Sequence, residues 1–239
     1  MTSPGDQFLT TRWTQVLAAQ GGSTHAGTSL ADLCAAYYAP VRSYIARTAH
    51  DLGDARDLTQ EFFARLLAGS VIAGAEREKG RFRGYLLGAV KHHLADTRDR
   101  LRAAKRGGKS EHVPLVSGTD TSPGHECALP EPQTPDAFFD RQWGLAVLEL
   151  ALAALAAEHE RQGKAAQFQT LKPWLTGDVQ GLSQAELAAR LGLSEGEVKV
   201  AIHRLRKRFR DLVKAEIAQT VSNEQEARDE LCYLIEVVS

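Results

Sequence analysis

Between Lys199 and Lys214 there are seven basic residues and one acid, a net of +6. Lys199, His203, Arg204, Arg206, Lys207 and Arg210 alternate with Val198, Ile202, Leu205, Phe209 and Leu212, and the apolar set recurs at steps of four and three. On a helix that spacing gathers the apolar residues into one buried stripe and leaves the basic side chains in water. The chemistry this offers is recognition of a polyanion. Guanidinium and ammonium groups hold phosphates, and side chains on the first turns of a groove-entering helix reach base edges. Glu195, Lys199, Val200 and His203 stand where base edges would be read, and Arg204, Arg206 and Lys207 where phosphates would be held.

A second basic block differs in kind. Residues 77–109 hold 11 basic and three acidic side chains, a net of +8. It opens with Arg81-Phe82-Arg83-Gly84-Tyr85 and continues with Lys91, His92, Arg98, Arg100 and Arg102. Arginines interleaved with rings suit a single or melted strand, because bases stack on aromatic faces while cations follow the backbone. Leu86, Leu87, Val90 and Leu94 already supply a core face, so at least one of the two rings is expected to be exposed.

Asp54, Asp57 and Glu61, at intervals of three and four, share one face of a helix whose other face carries Leu58, Phe62 and Leu66. That face can dock on a basic partner. No nucleophile, base and orienting acid occur in a catalytic order, so no catalytic residue is assigned. His92 and His93 are adjacent and point about 100° apart on a helix, so they do not share a metal. Cys34, Cys127 and Cys232 are scattered. Neither a metal nor a cofactor is expected.

The elements that must position these groups are all helical. Ser183 with Glu186, and Ser194 with Glu197, fit capping boxes, and Gly192 between them suits a left-handed helix end. A short capped helix, a tight turn and a longer capped helix form a helix-turn-helix. Upstream, helices are expected around Leu9–Leu17, around Leu30–Ile45 with Pro40 inside, from an Asp54 cap through Leu66, and from Phe82 past Leu101 to Gly107. Pro114, Pro123, Pro130, Pro132 and Pro135 mark a linker, and helix resumes from Phe138. The expected architecture is all-α, with two small helical domains on a flexible linker. Its parts are an extension at 1–28, a first domain at 29–106, the linker at 107–135, a second domain at 136–214 and an acidic tail at 215–239. The 239 residues carry a net charge of -1, with 43% apolar and 25% charged side chains. That balance is globular, and the two basic blocks leave the remainder strongly acidic. No membrane span or secretory leader is expected, which points to the cytoplasm.

Three motifs in this order resemble a bacterial RNA polymerase sigma factor of the small extracytoplasmic-function class. They are Asp54-Ala-Arg-Asp-Leu-Thr-Gln-Glu61, Phe82-Arg-Gly-Tyr-Leu-Leu, and Leu182-Ser-Gln-Ala-Glu-Leu-Ala-Ala-Arg-Leu-Gly192 with Val198-Lys199 and His203-Arg204-Leu-Arg206. The resemblance implies that Asp54, Asp57, Gln60 and Glu61 bind the clamp of core RNA polymerase. It implies that Phe82 to Arg102 form the melting and minus-ten surface, and that Glu195 to Lys207 read the minus-thirty-five element of promoter DNA. Departures from the family pattern are Tyr85 where Trp is common, His92 where Asn is common, and Arg56 in place of an acid.

Two expectations about control follow. Arg56 weakens the anionic face, and phosphorylation of Thr59 by a Ser/Thr kinase would restore roughly -1.5 to -2 of charge there. The tail from Ala215 carries six acids and one base, with Leu231, Leu234, Ile235 and Val238 as an apolar stripe, and is expected to fold over a basic surface and restrain it. An anti-sigma protein is a partner common in the resembled class. The main rival is a stand-alone helix-turn-helix repressor or activator, which would need neither the aromatic block nor the acidic helix.

Overall fold

The computed structural model describes residues 24–68, 81–107, 134–177 and 183–239, and among these the only regular elements are helices. They are α1 (Thr24–Thr48), α2 (Ala55–Leu67), α3 (Phe82–Gly107), α4 (Pro135–Arg161), α5 (Ala165–Leu171), α6 (Pro173–Thr176), α7 (Gln184–Leu191), α8 (Glu195–Ala218) and α9 (Glu224–Val238). The expected helix at Leu9–Leu17, the side chains of Leu30 and Leu33, and most of the expected linker lie outside the described residues.

Local chemistry sets the helix starts. The Asp54 carboxylate accepts from the amides of Arg56 at 2.7 Å and Asp57 at 3.3 Å, the Thr134 hydroxyl accepts from Ala137, and the Asn223 side chain accepts from Glu226. Each satisfies amides that a helix start leaves without carbonyl partners. Pro135 follows Thr134 at the first helical position, where its missing N–H costs nothing.

Two hydrophobic cores organise the molecule, and they do not divide at the linker. The first joins Tyr37, Val41 and Ile45 of α1, Phe62 and Leu66 of α2, and Phe82, Leu86 and Val90 of α3 to residues from the far end of the chain. Those are Phe139, Trp143, Val147 and Ala151 of α4, Val213 and Ile217 of α8, and Leu234 of α9. The second holds Leu155, Phe168, Leu171, Leu187, Ala188, Val198, Ile202 and Leu205. Helices α4 and α8 therefore run through both cores, with Phe209 and Leu212 packed against each.

Polar contacts tie the shared core. The Trp143 indole N–H donates to the Tyr37 hydroxyl at 2.9 Å in the interior, and the Phe82 amide donates to the Thr220 carbonyl at 3.0 Å. Residues 215–239, expected as a tail, are the last turn of α8, a short connection and α9, and α9 lies against α4. Gly144 makes that approach close: a Cβ there would stand 2.7 Å from Val238 Cγ1 and 3.1 Å from Leu234 Cδ1. Glycine inside a helix costs about 1 kcal/mol relative to alanine, so its presence mid-helix fits the need for close packing.

Candidate nucleic-acid interface

The helix-turn-helix is built as its sequence indicates. Ser183 and Glu186 form a reciprocal capping box at α7, and Ser194 and Glu197 do the same at α8. Gly192 turns the chain between them in the left-handed region, at φ 64°. Hydrogen bonds from the backbone amides and hydroxyls of Ser183 and Ser194 hold the Glu186 and Glu197 carboxyls below their ordinary pKa. Leu187, Val198, Ile202 and Leu205 bury the inner faces. Glu195, Lys199, Val200, His203, Arg204 and Lys207 are all exposed, so the first turns of α8 present one uninterrupted outward face.

Two exposed basic residues of α8 are engaged by the chain itself instead. Arg206, expected on a phosphate, donates from Nε and Nη2 to the Trp174 carbonyl at 3.2 and 2.8 Å and closes the end of α6. Arg208 forms a two-pronged pair with Glu158 that braces α8 on α4, its Nε to Oε2 distance being 2.8 Å. This pairing holds the Glu158 carboxyl below its usual range. It joins residues fifty positions apart, so no local pattern signals it.

Among the described residues of the other basic block, Arg81, Arg83, Lys91, His92, Arg98, Arg100 and Arg102 all lie within ion-pair distance of an acid. Arg81 contacts Glu230 at 3.0 Å and Asp229 at 3.3 Å, and Arg83 contacts both Asp140 and Glu230. Lys91 reaches Asp136 at 2.5 Å, His92 lies 3.3 Å from Asp96, and Arg98 donates to the Thr48 carbonyl and lies 3.7 Å from Asp51. Arg100 pairs with Glu61 at 3.1 Å and Arg102 with Asp99 at 3.7 Å. Arg83 is the centre of this arrangement. Its guanidinium lies 4.4 Å from the Tyr233 ring centroid and 4.9 Å from that of Trp143, and the Tyr233 hydroxyl donates to Asp140 at 2.6 Å. Burial alone would lower the Arg83 pKa, but hydrogen bonds and charge from Glu230 and Asp140 raise it overall. Burial and the bond to Asp140 push Tyr233 up to about 12.

The rings of this block differ from expectation. Phe82 is 0% exposed and meets Tyr37 edge-on at 4.9 Å, so it is a core residue and presents no stacking face in this arrangement. Tyr85 packs against the same core, and burial raises its hydroxyl to about 12. The turn at Thr220 and the Tyr37 ring, both distant in sequence, cover Phe82, so the expectation of at least one exposed ring fails there.

The acidic face of α2 is only partly free. Asp57 and Gln60 are exposed, Asp54 is spent on the helix cap, and Glu61 is shared between Arg100 and, at 3.9 Å, Arg65. Thr59 is 0% exposed and its hydroxyl donates to the Ala55 carbonyl at 2.6 Å. His93, beneath this face, accepts at Nδ1 from the Arg65 guanidinium at 3.2 Å, and burial lowers its pKa, opposed by Glu61 and aided by Arg65 and Arg100. Among the described residues no group of His, Cys, Asp and Glu is arranged to hold a metal ion, and no helix is long and apolar enough to cross a membrane.

Residues 178–209, which span the helix-turn-helix up to Phe209, match the family model of sigma-70 region 4. The chain is 29% identical over 170 residues to the ECF RNA polymerase sigma factor SigE of Mycolicibacterium smegmatis. The alignment takes in 71% of this chain and 56% of that relative, so the chain spans about half the relative's length. No solved structure matches the chain. The region-4 match and this relative, which aligns well beyond the helix-turn-helix, make the chain similar to sigma factors of extracytoplasmic-function type.

Proposed function

We propose that the chain binds core RNA polymerase and promoter DNA and directs transcription initiation, working in the cytoplasm and carrying out no covalent chemistry. The observation that carries this reading is the outward face of α8, where Glu195, Lys199, Val200 and His203 project from a doubly capped helix-turn-helix inside the region-4 match. In this reading those four side chains read the minus-thirty-five element, and Arg204 and Lys207 hold flanking phosphates. Arg206, bound to Trp174, keeps the motif in shape instead. Asp57, Gln60 and Glu61 on α2 meet the polymerase clamp, and the α3 surface from Arg81 to Arg102 engages the minus-ten element once its ion pairs are exchanged for phosphates. The relative's name attaches it to RNA polymerase, which supports the same partner.

Control is assigned to α9 rather than to Thr59. A kinase would reach the Thr59 hydroxyl only after α2 had come away from its neighbours, whereas α9 already pairs with Arg81 and Arg83. No feature identifies an anti-sigma partner.

The test is run-off transcription from a promoter library with purified chain, with and without core polymerase. Transcripts that require both components, and a shift in selected promoters on Lys199→Glu, are the expected outcome. Tight duplex binding by the chain alone, with no core-dependent transcript, would support the repressor reading instead.

A further inference from the structure

The surface assigned to the minus-ten strand is covered by the chain's own acids. Arg81 immediately precedes α3 and Arg83 and Lys91 project from its first three turns, and all three are neutralised by carboxylates remote in sequence: Asp229 and Glu230 on α9, and Asp136 and Asp140 on α4. Glu230 is 1% exposed and touches both arginines, Arg81 through Oε1 and Arg83 through both oxygens. Two carboxylates around one guanidinium, with Tyr233 and Trp143 on its faces, present the kind of oxygen array that a nucleic-acid backbone presents.

We propose that α9, with Asp140, is an intramolecular substitute for promoter phosphate: it holds the factor closed by occupying Arg81 and Arg83, and a single-stranded polyanion displaces it. The proposal rests on the sigma-factor reading and adds the regulation of its minus-ten surface.

The choice of side chains supports exchange over permanent packing. A buried ion pair adds little net stability, because desolvating both charges offsets most of their attraction, and apolar residues of similar size hold a seam as well or better. A charged seam has the property an apolar one lacks, since its cations can be handed to another anion at small net cost. The apolar part of the seam is mostly half-buried: Leu234 is the one apolar residue of α9 that is fully buried, Ala227, Leu231, Tyr233, Val237 and Val238 are partly covered, and Ile235 is 59% exposed. Opening also frees more than two arginines. The Phe82 amide is bonded to the Thr220 carbonyl just ahead of α9, and Arg141 reaches the Val237 carbonyl at 3.5 Å, so displacement of α9 also strains or releases contacts at the start of α3 and on α4.

The test uses the full chain without polymerase. Glu230→Gln removes the carboxylate charge shared by the two arginines. Gly144→Leu leaves every charge in place and wedges Val238 and Leu234 away from α4. Amide exchange of residues 224–238 reports docking of α9, and fluorescence anisotropy reports binding of a short single-stranded oligonucleotide. Both variants are expected to speed exchange in α9 and to bind the oligonucleotide about tenfold more tightly, with the log-log salt slope steeper by about 1.4, the release expected for two added phosphate contacts. Adding the oligonucleotide to the unaltered chain should speed the same exchange. Release of α9 without tighter binding overturns the proposal, and so does an α9 that stays protected in both variants. Neither result bears on whether the chain supports core-dependent transcription, which the run-off experiment reads separately.

Discussion

Asp54 serves two ends that its place in the acidic motif does not separate. Its negative charge belongs to the anionic face, but its carboxylate oxygen is bonded to the amides of Arg56 and Asp57. Replacing a capping aspartate by alanine costs typically about 1 kcal/mol, while asparagine caps nearly as well. Asp54→Ala should therefore lower the denaturation midpoint measurably, and Asp54→Asn should leave it close to that of the unaltered chain. Comparing polymerase pull-down by the two then isolates the charge from the fold. If Asn binds as well as Asp and Ala does not, the residue acts through helix integrity alone. This role was legible in the sequence because a cap is made with amides two and three residues away. The partners of Glu61, Arg81 and Arg83 were not, since Arg100 lies 39 positions from Glu61 and Glu230 lies 149 and 147 positions from the two arginines. Charge counts identified the basic block without identifying what neutralises it.

Among the elements, α8 does the most varied work. Its apolar stripe, its capping box and its exposed first turns all follow from local spacing, and all three appear as the sequence indicates. Spacing does not distinguish Arg206 from Lys207, yet one points back to Trp174 and the other into solvent. The consequences differ. Arg206→Ala leaves the Trp174 carbonyl without the two donors that close α6, a loss of about 1–2 kcal/mol typical of a charge-assisted bond at a partly solvated site. Thermal unfolding should show that loss, with the salt slope of promoter binding by the holoenzyme unchanged. Lys207→Ala should do the reverse, leaving stability alone and lowering the slope by about 0.9, the release expected for one phosphate contact on duplex DNA. A reduced slope for Arg206→Ala would return that residue to the phosphate-binding set.

For the molecule as a whole, apolar periodicity gave the helices and most core faces of the described residues, Ile235 and Leu150 being exposed, but which core a face joins is a matter of contacts remote in sequence. A boundary at 135/136 was expected to put α4 and α8 together in a second domain. In the structure both helices thread two cores, with Ile202 in one and Val213 of the same helix in the other. The two sites should therefore differ in reach. Ile202→Ala, a buried truncation costing about 2–5 kcal/mol, should speed amide exchange in α5, α7 and the first half of α8 while α1 and α3 stay protected. Val213→Ala removes fewer atoms and should cost less, yet its loss should spread through Trp143 and Ile217 to Tyr37 on α1 and Phe82 on α3, with which it shares a core. Exchange in α1 and α3 should then rise, although both lie more than a hundred residues upstream of the change. Independent domains on a tether would instead confine the effect of Val213→Ala to residues 134–239. The same coupling gives α9 its leverage, because a helix docked on the end of α4 touches a core that reaches back to the start of the described chain.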